Sequence, residues 1–187
     1  DSGSSGLNPT GLQEGIYTVR LEANNYAVIE PGFISYDDGS KYQGGLKEGK
    51  RSGQGTLTYS NGDSYSGGWR VDQRHGHGTA TYQTGHTYTG QWWNDTMRGK
   101  GKETFPDKCS YDGLYEEGLM CGQGTLTFPN GDVFVGNFAN DDIEGEGTLT
   151  YAANGDSFHG KFTKGKKNGS GVITYGNGKK FSGEWNL

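Results

Sequence analysis

The chain has 187 residues, of which only 29% are hydrophobic, and so lacks the aliphatic stock of a thick globular core. Gly supplies 36 residues against 4 Pro, while aromatics reach 13%, a mixture that fits neither collagen nor a disordered low-complexity linker. A formal net charge of -5 and a pI near 5.3 oppose binding by counterion release, so nucleic acid is not an expected partner.

Residues 1–6, Asp-Ser-Gly-Ser-Ser-Gly, read as a linker and are left out of the fold. Residues 7–31 contain Ile16-Tyr-Thr-Val-Arg-Leu21 and Tyr26-Ala-Val-Ile29, which predict two strands capping the N-terminal edge of a repeat array. From there the sequence repeats itself. A half unit covers 32–41, units start at residues 42, 65, 88, 111, 134 and 158, and a partial unit covers 181–187. Each unit opens on an aromatic, Tyr42, Tyr65, Tyr88, Tyr111, Phe134, Phe158 and Phe181. Gly stands two residues later, and a large side chain two after that: Leu46, Trp69, Trp92, Tyr115, Phe138, Phe162 and Trp185. That alternation is a period of two, which predicts a strand with one apolar face.

The second half of each unit starts with Gly-x-Gly, at Gly53/Gly55 and its equivalents through Gly169/Gly171, and keeps the same alternation, as in Gly53-Gln-Gly55-Thr-Leu57-Thr-Tyr59, where Gly53, Gly55, Leu57 and Tyr59 are expected to share one face. Turn dipeptides Asn61-Gly62, Asn130-Gly131, Asn154-Gly155 and Asn177-Gly178 separate the units. The prediction is an all-β protein, an elongated single-layer antiparallel sheet of tandem β-hairpins. In it, glycines flanked by rings leave room for a neighbouring ring to lie over bare backbone. The third unit departs most, with Glu103 on the apolar face and Lys108 where the turn glycine belongs, so a bend or loosening is expected there.

This pattern closely resembles the MORN (membrane occupation and recognition nexus) repeat family, whose units read approximately Tyr-x-Gly-Glu-Trp, then a Gly-containing turn, then His-Gly-x-Gly, then Asn-Gly-Asp. The family's Glu before Trp stands only at Glu184, and its His before Gly-x-Gly only at His75. The resemblance implies a non-enzymatic adaptor that organises cytoskeleton or tethers it near membranes. It also implies two alternatives: a phospholipid-binding module at a membrane surface, or an accessory region of a larger enzyme, since such repeats are fused to lipid kinases and methyltransferases.

The residues themselves offer two candidate surfaces and no chemistry. Tyr59, Tyr82, Phe105, Phe128, Tyr151 and Tyr175 are expected to stack as a thin core. The outer edges of Tyr65, Trp69, Tyr88, Trp92, Tyr111, Tyr115 and Phe138 are then expected to line a groove for an amphipathic helix or extended peptide of a protein partner. Lys161, Lys164, Lys166, Lys167, Lys179 and Lys180 form a basic block, read either as a solvated sheet edge or as a patch for anionic phospholipid. An acidic block precedes it, which opens the further option of a homodimer with acidic and basic units facing each other.

No catalytic set is suggested by position, so no enzyme activity and no cofactor are expected. His75, His77 and His86 read as repeat residues and not as metal ligands. Cys109 and Cys121 read as free thiols in a reducing compartment. Without an apolar run of membrane-spanning length or a signal peptide, the expected location is the cytoplasm, in contact with cytoskeleton or membrane.

Overall fold

The computed structural model describes residues 29–186, so the expected capping strands lie, but for Ile29, outside the described residues. Fourteen strands succeed one another. They are β1 (Glu30–Ser35), β2 (Lys41–Lys47), β3 (Lys50–Thr58), β4 (Ser64–Arg70), β5 (Gln73–Thr81), β6 (Thr87–Trp93) and β7 (Thr96–Thr104). Then come β8 (Ser110–Glu116), β9 (Leu119–Thr127), β10 (Val133–Ala139), β11 (Asp142–Thr150), β12 (Ser157–Thr163), β13 (Lys166–Thr174) and β14 (Lys180–Trp185). They pair antiparallel in simple chain order as one open sheet, and the described residues contain no helix. The tandem-hairpin prediction is met.

Two kinds of turn alternate along the sheet. Tyr59-Ser-Asn-Gly-Asp63 shows the longer one. Tyr59 N donates to Asp63 O (2.8 Å), Gly62 N to Tyr59 O (2.9 Å), and Asn61 Oδ1 accepts from Asp63 N (3.0 Å). The shorter turn, which joins the two strands of each repeat unit, has two residues both at positive φ, as at Glu48 (52°) and Gly49 (74°) or Asn94 (47°) and Asp95 (68°). That geometry matches the strand twist and closes a hairpin in the fewest residues.

Every hairpin closed by a short turn also carries a bulge, shown by β2 and β3. There Gly44 pairs with Gly55 while Leu46 pairs with Arg51, so extra residues are packed into β3. Gly53 sits in that bulge at φ 79°, which explains the first glycine of Gly-x-Gly by backbone conformation. The second has a different reason. A Cβ on Gly55 would fall inside the Tyr42 ring, which lies across the Gly44–Gly55 pair.

The longer turns also tie unit to unit. Asp63 Oδ1 accepts from Gln83 N (2.9 Å), Asp132 Oδ1 from Ala152 N (2.9 Å) and Asp156 Oδ1 from Gly176 N (2.8 Å). At His86 and Cys109 the carboxylate is missing, and the residues that would have donated to it are Pro106 and Pro129, which have no N–H. Acceptor and donor are lost together, so no polar group is orphaned. Nor does the third unit loosen: Lys108 adopts φ 74° in place of glycine, and β7 pairs with β8 from Thr104–Ser110 to Gly99–Tyr115 without a register shift.

Candidate functional site

Two columns of rings fill the apolar face. The first ring of each unit, such as Tyr65, lies over glycine backbone; the second, such as Trp69, stands between that ring and the first ring of the preceding unit. Trp69 meets Tyr42 edge-to-face at 5.5 Å and Tyr65 at 5.1 Å, and Trp92 meets Tyr65 at 5.4 Å and Tyr88 at 5.1 Å. The same alternation runs on through Tyr111–Phe138 (4.8 Å), Phe134–Phe162 (5.0 Å) and Phe158–Trp185 (4.7 Å). Edge-to-face contact sets the positive rim of one ring against the negative face of the next, so one continuous stack is favourable throughout.

A row of side chains paired across each hairpin with the second ring position, just before the bulge, covers one side of this stack. The Arg51 guanidinium lies 4.2 Å from the Trp69 ring centre, and that of Arg74 lies 4.1 Å from Trp92. Met97, Met120 and Ile143 pack there in the next units, and Lys167 Nζ sits 4.5 Å from the Phe158 ring centre. Asp72 and Asp95 hold the two arginines through Nε at 3.2 and 3.0 Å. This covering row shares the repeat period, two residues before each Gly-x-Gly, so the signal for it was present in the sequence.

The consequence for the expected groove is a correction. Tyr65, Trp69, Tyr88, Trp92, Tyr111, Tyr115 and Phe138 are all 5% exposed or less, so their edges face one another and the covering row, and no outer edge is open. Burial also drives the Tyr42, Tyr65, Tyr88 and Tyr111 hydroxyls up to about 12, because each phenolate would have to form away from water. The rings expected to be the thin core are the accessible ones. Tyr59 is 38% and Tyr175 40% exposed, and Tyr82, Phe105, Phe128 and Tyr151 are half-buried, all at the strand ends that carry the longer turns.

The basic residues do not form one patch. Lys164 and Lys166 stand at the short turn before β13, whereas Lys179 and Lys180 stand beyond its other end, about 30 Å away at the rise of an extended strand. Lys161 lies between, in β12, and Lys167 is turned onto Phe158 and Tyr151.

One polar cluster interrupts the apolar face. Glu103, 7% exposed, has Oε1 2.7 Å from His86 Nε2 and accepts a hydrogen bond from the Tyr115 hydroxyl at Oε2 (2.8 Å). Burial, then the charge of Glu103, pushes that hydroxyl far above the ordinary tyrosine range. The His86 ring is stacked between Tyr82 (4.9 Å) and Phe105 (5.3 Å). Both carboxylate oxygens are thus engaged, which is how a charged residue is carried in this stripe. Among the described residues no three His, Cys, Asp or Glu side chains gather as a metal site, Cys109 and Cys121 are free, and no helix is long and apolar enough to cross a membrane.

A comparison with curated proteins returned no match. Among solved structures, the chain is similar to the SAS-4 (dCPAP) TCP domain of Drosophila melanogaster, solved with a proline-rich motif of Ana2 (dSTIL). The two are 19% identical over 83% of this chain and 90% of that one, with TM-score 0.47. It is also similar to the TCP10 domain of Danio rerio CPAP, solved with a STIL peptide, at 14% identity over 82% of this chain and 74% of that one, with TM-score 0.45. The MORN repeat description matches residues 42–64, 65–87, 88–110, 111–133, 134–155 and 158–180. Six consecutive matches cover most of the sequence, and the chain belongs to the MORN repeat family.

Proposed function

We propose that this array is a non-enzymatic scaffold that binds an extended segment of a protein partner along the accessible ladder of rings Tyr59, Tyr82, Phe105, Phe128, Tyr151 and Tyr175. The observation that carries the proposal is that these rings stay accessible at every unit while the two ring columns from Tyr42 to Phe162 are buried. Regular, half-exposed aromatics beside a rigid core offer binding area at little cost in ordering. Successive rings are two strands apart, about 9.6 Å, and a polyproline II segment advances about 9.3 Å per three-residue turn, so it can place one side chain against each ring. In the cluster of Glu103, His86 and Tyr115 both carboxylate oxygens are tied to His86 and Tyr115, which favours binding over catalysis. A place at a junction of cytoskeleton and membrane belongs to this reading on the family resemblance alone.

The test is selection of proline-rich twelve-residue peptides on the wild-type array, followed by titration against the triple variant Tyr59→Ser, Tyr82→Ser, Phe128→Ser. A loss of tenfold or more in affinity, with the thermal transition of the array retained, is expected. Peptides that bind both proteins equally would remove the ladder from consideration.

A further inference from the structure

Directly beside each buried first ring stands one residue of a column that reads Ile34, Leu57, Ala80, Glu103, Leu126, Leu149 and Ile173. Leu57 and Ala80 flank Tyr65 from its two neighbouring strands, and Ala80 is three carbons shorter than Leu57. At this place a cleft of about 320 Å³ opens. Tyr59 and Tyr82, rings of adjacent units, form its sides, and the buried Tyr65 and Ala80 lie at its base.

Asp38 and Asp63 also line the cleft. Asp38 accepts from Ser40 N (2.8 Å) and Ser40 Oγ (3.0 Å), and Asp63 from Asn61 Nδ2 (2.8 Å) and Gln83 N (2.9 Å). Among the described residues neither carboxylate has a cation at ion-pair distance. Arg74, which reaches the cleft as well, is held by Asp95 at 3.0 Å and stacked on Trp92. The opening therefore offers the Tyr59 and Tyr82 rings as its apolar walls, among polar groups that include two carboxylates and one guanidinium already engaged elsewhere.

We infer that this cleft takes an aliphatic side chain of the bound partner segment, with a basic residue next to it meeting Asp38 and Asp63. This rests on the ladder reading and gives it a register: the one unit whose column is cut back to alanine fixes which partner residue lies between Tyr59 and Tyr82. The cleft between the two rings has room for a branched aliphatic group, and its carboxylates select against an acidic neighbour. Anchoring by a single side chain in a desolvated notch, with weaker contacts along the ladder, is the usual division of binding energy.

Ala80→Leu tests this cleanly, because leucine already occupies the column at Leu57, Leu126 and Leu149, and Ala80→Val is the smaller second variant. The probe is a set of synthetic proline-rich twelve-residue peptides with a central Lys-Leu pair, accompanied by versions carrying Lys-Ala and Glu-Leu, titrated by fluorescence anisotropy. Wild type should bind the Lys-Leu peptide at least tenfold tighter than either companion. Ala80→Leu should abolish the preference for leucine while melting no lower than wild type, and Asp38→Asn should abolish the preference for lysine. If Lys-Leu and Lys-Ala bind wild type equally, or Ala80→Leu retains the preference, the cleft assignment is overturned; the ladder survives if the triple variant of Tyr59, Tyr82 and Phe128 still loses binding. If no peptide binds wild type, both readings fall. Self-association of wild type that Ala80→Leu abolishes would put a second copy in the cleft and overturn the peptide.

Discussion

Among the buried rings, Tyr42, Tyr65, Trp69 and Trp92 of the first units each have a polar handle, whereas Phe134, Phe138, Phe158 and Phe162 of the units that open at Phe134 and Phe158 have none. The Tyr42 hydroxyl donates to Gly45 O (2.9 Å) and that of Tyr65 to Gly68 O (3.0 Å), while Trp69 and Trp92 donate from Nε1 to Gly55 O (3.0 Å) and Gly78 O (3.2 Å). Phe134, Phe138, Phe158 and Phe162 donate nothing. Yet Phe134–Phe138 and Phe158–Phe162 keep 5.4 Å edge-to-face contacts against 5.1 Å for Tyr65–Trp69, and all four phenylalanines are as buried as their tyrosine and tryptophan counterparts. What the two regions share is ring on glycine and ring edge on ring face. The hydrogen bonds and the Arg51–Asp72 and Arg74–Asp95 pairs are additions, each worth about 1 kcal/mol or less.

The shared requirement gives the largest expected effect. Gly55→Ala puts a methyl group into the Tyr42 ring, and Gly147→Ala does the same to Phe134. Each should cost about 3 kcal/mol, at the upper end for overpacking, since the ring has bare backbone on one side and another ring on the other. Urea unfolding of both variants measures it. A gap of more than about 1 kcal/mol between them would mean that the hydroxyl, present in one region only, fixes the ring measurably beyond what packing does.

High pH should separate the two regions. Tyr42 and Tyr65 have hydroxyls raised from 10.0 to about 12 by burial, so the unfolded chain loses these protons first. Their contribution is complete below pH 10 and is lost as pH rises through 12, on the order of 2 kcal/mol for each hydroxyl. Phe134 and Phe158 have no such term. The double variant Tyr42→Phe, Tyr65→Phe should be less stable than wild type at pH 8, having lost two hydrogen bonds, and more resistant at pH 12, so that the stability curves cross. Circular dichroism melts across that range check it, and parallel curves would refute the assignment.

Much of the fold was legible in the sequence, and what was not has identifiable causes. Repeat length, strand pairing and the shared face of Tyr42, Gly44 and Leu46 come from period two and period 23, because side-chain direction in a strand is fixed by parity. Parity says nothing about depth along the strand. Trp69 and Tyr59 sit on the same face, and the covering arginine closes over Trp69 while Tyr59 stays 38% exposed, so the buried and accessible rings came out exchanged. Gly53 read as one more in-face glycine because a bulge adds residues without disturbing the repeat period. Lys164 and Lys179 looked like neighbours in a basic block because distance along the chain hides a nine-residue strand between them.

The smallest expected effect lies in the short turns, where the first residue must adopt φ near 50° whichever region it belongs to. Asn140 does so at 50° and Val71 at 49°. Asparagine tolerates this conformation, but a β-branched side chain there crowds its own backbone, at a cost of roughly 1–2 kcal/mol. Val71 is 54% exposed and so recovers little of that cost by burial. Val71→Asn should therefore raise stability by about 1 kcal/mol, and Asn140→Val should lower it by a similar amount. Reciprocal shifts in urea midpoints with unchanged m-values would place the penalty in the turn backbone itself. If Val71→Asn were neutral while Asn140→Val was costly, the valine would have to be held by a contact particular to its own turn, and the two regions would differ where their backbones are alike.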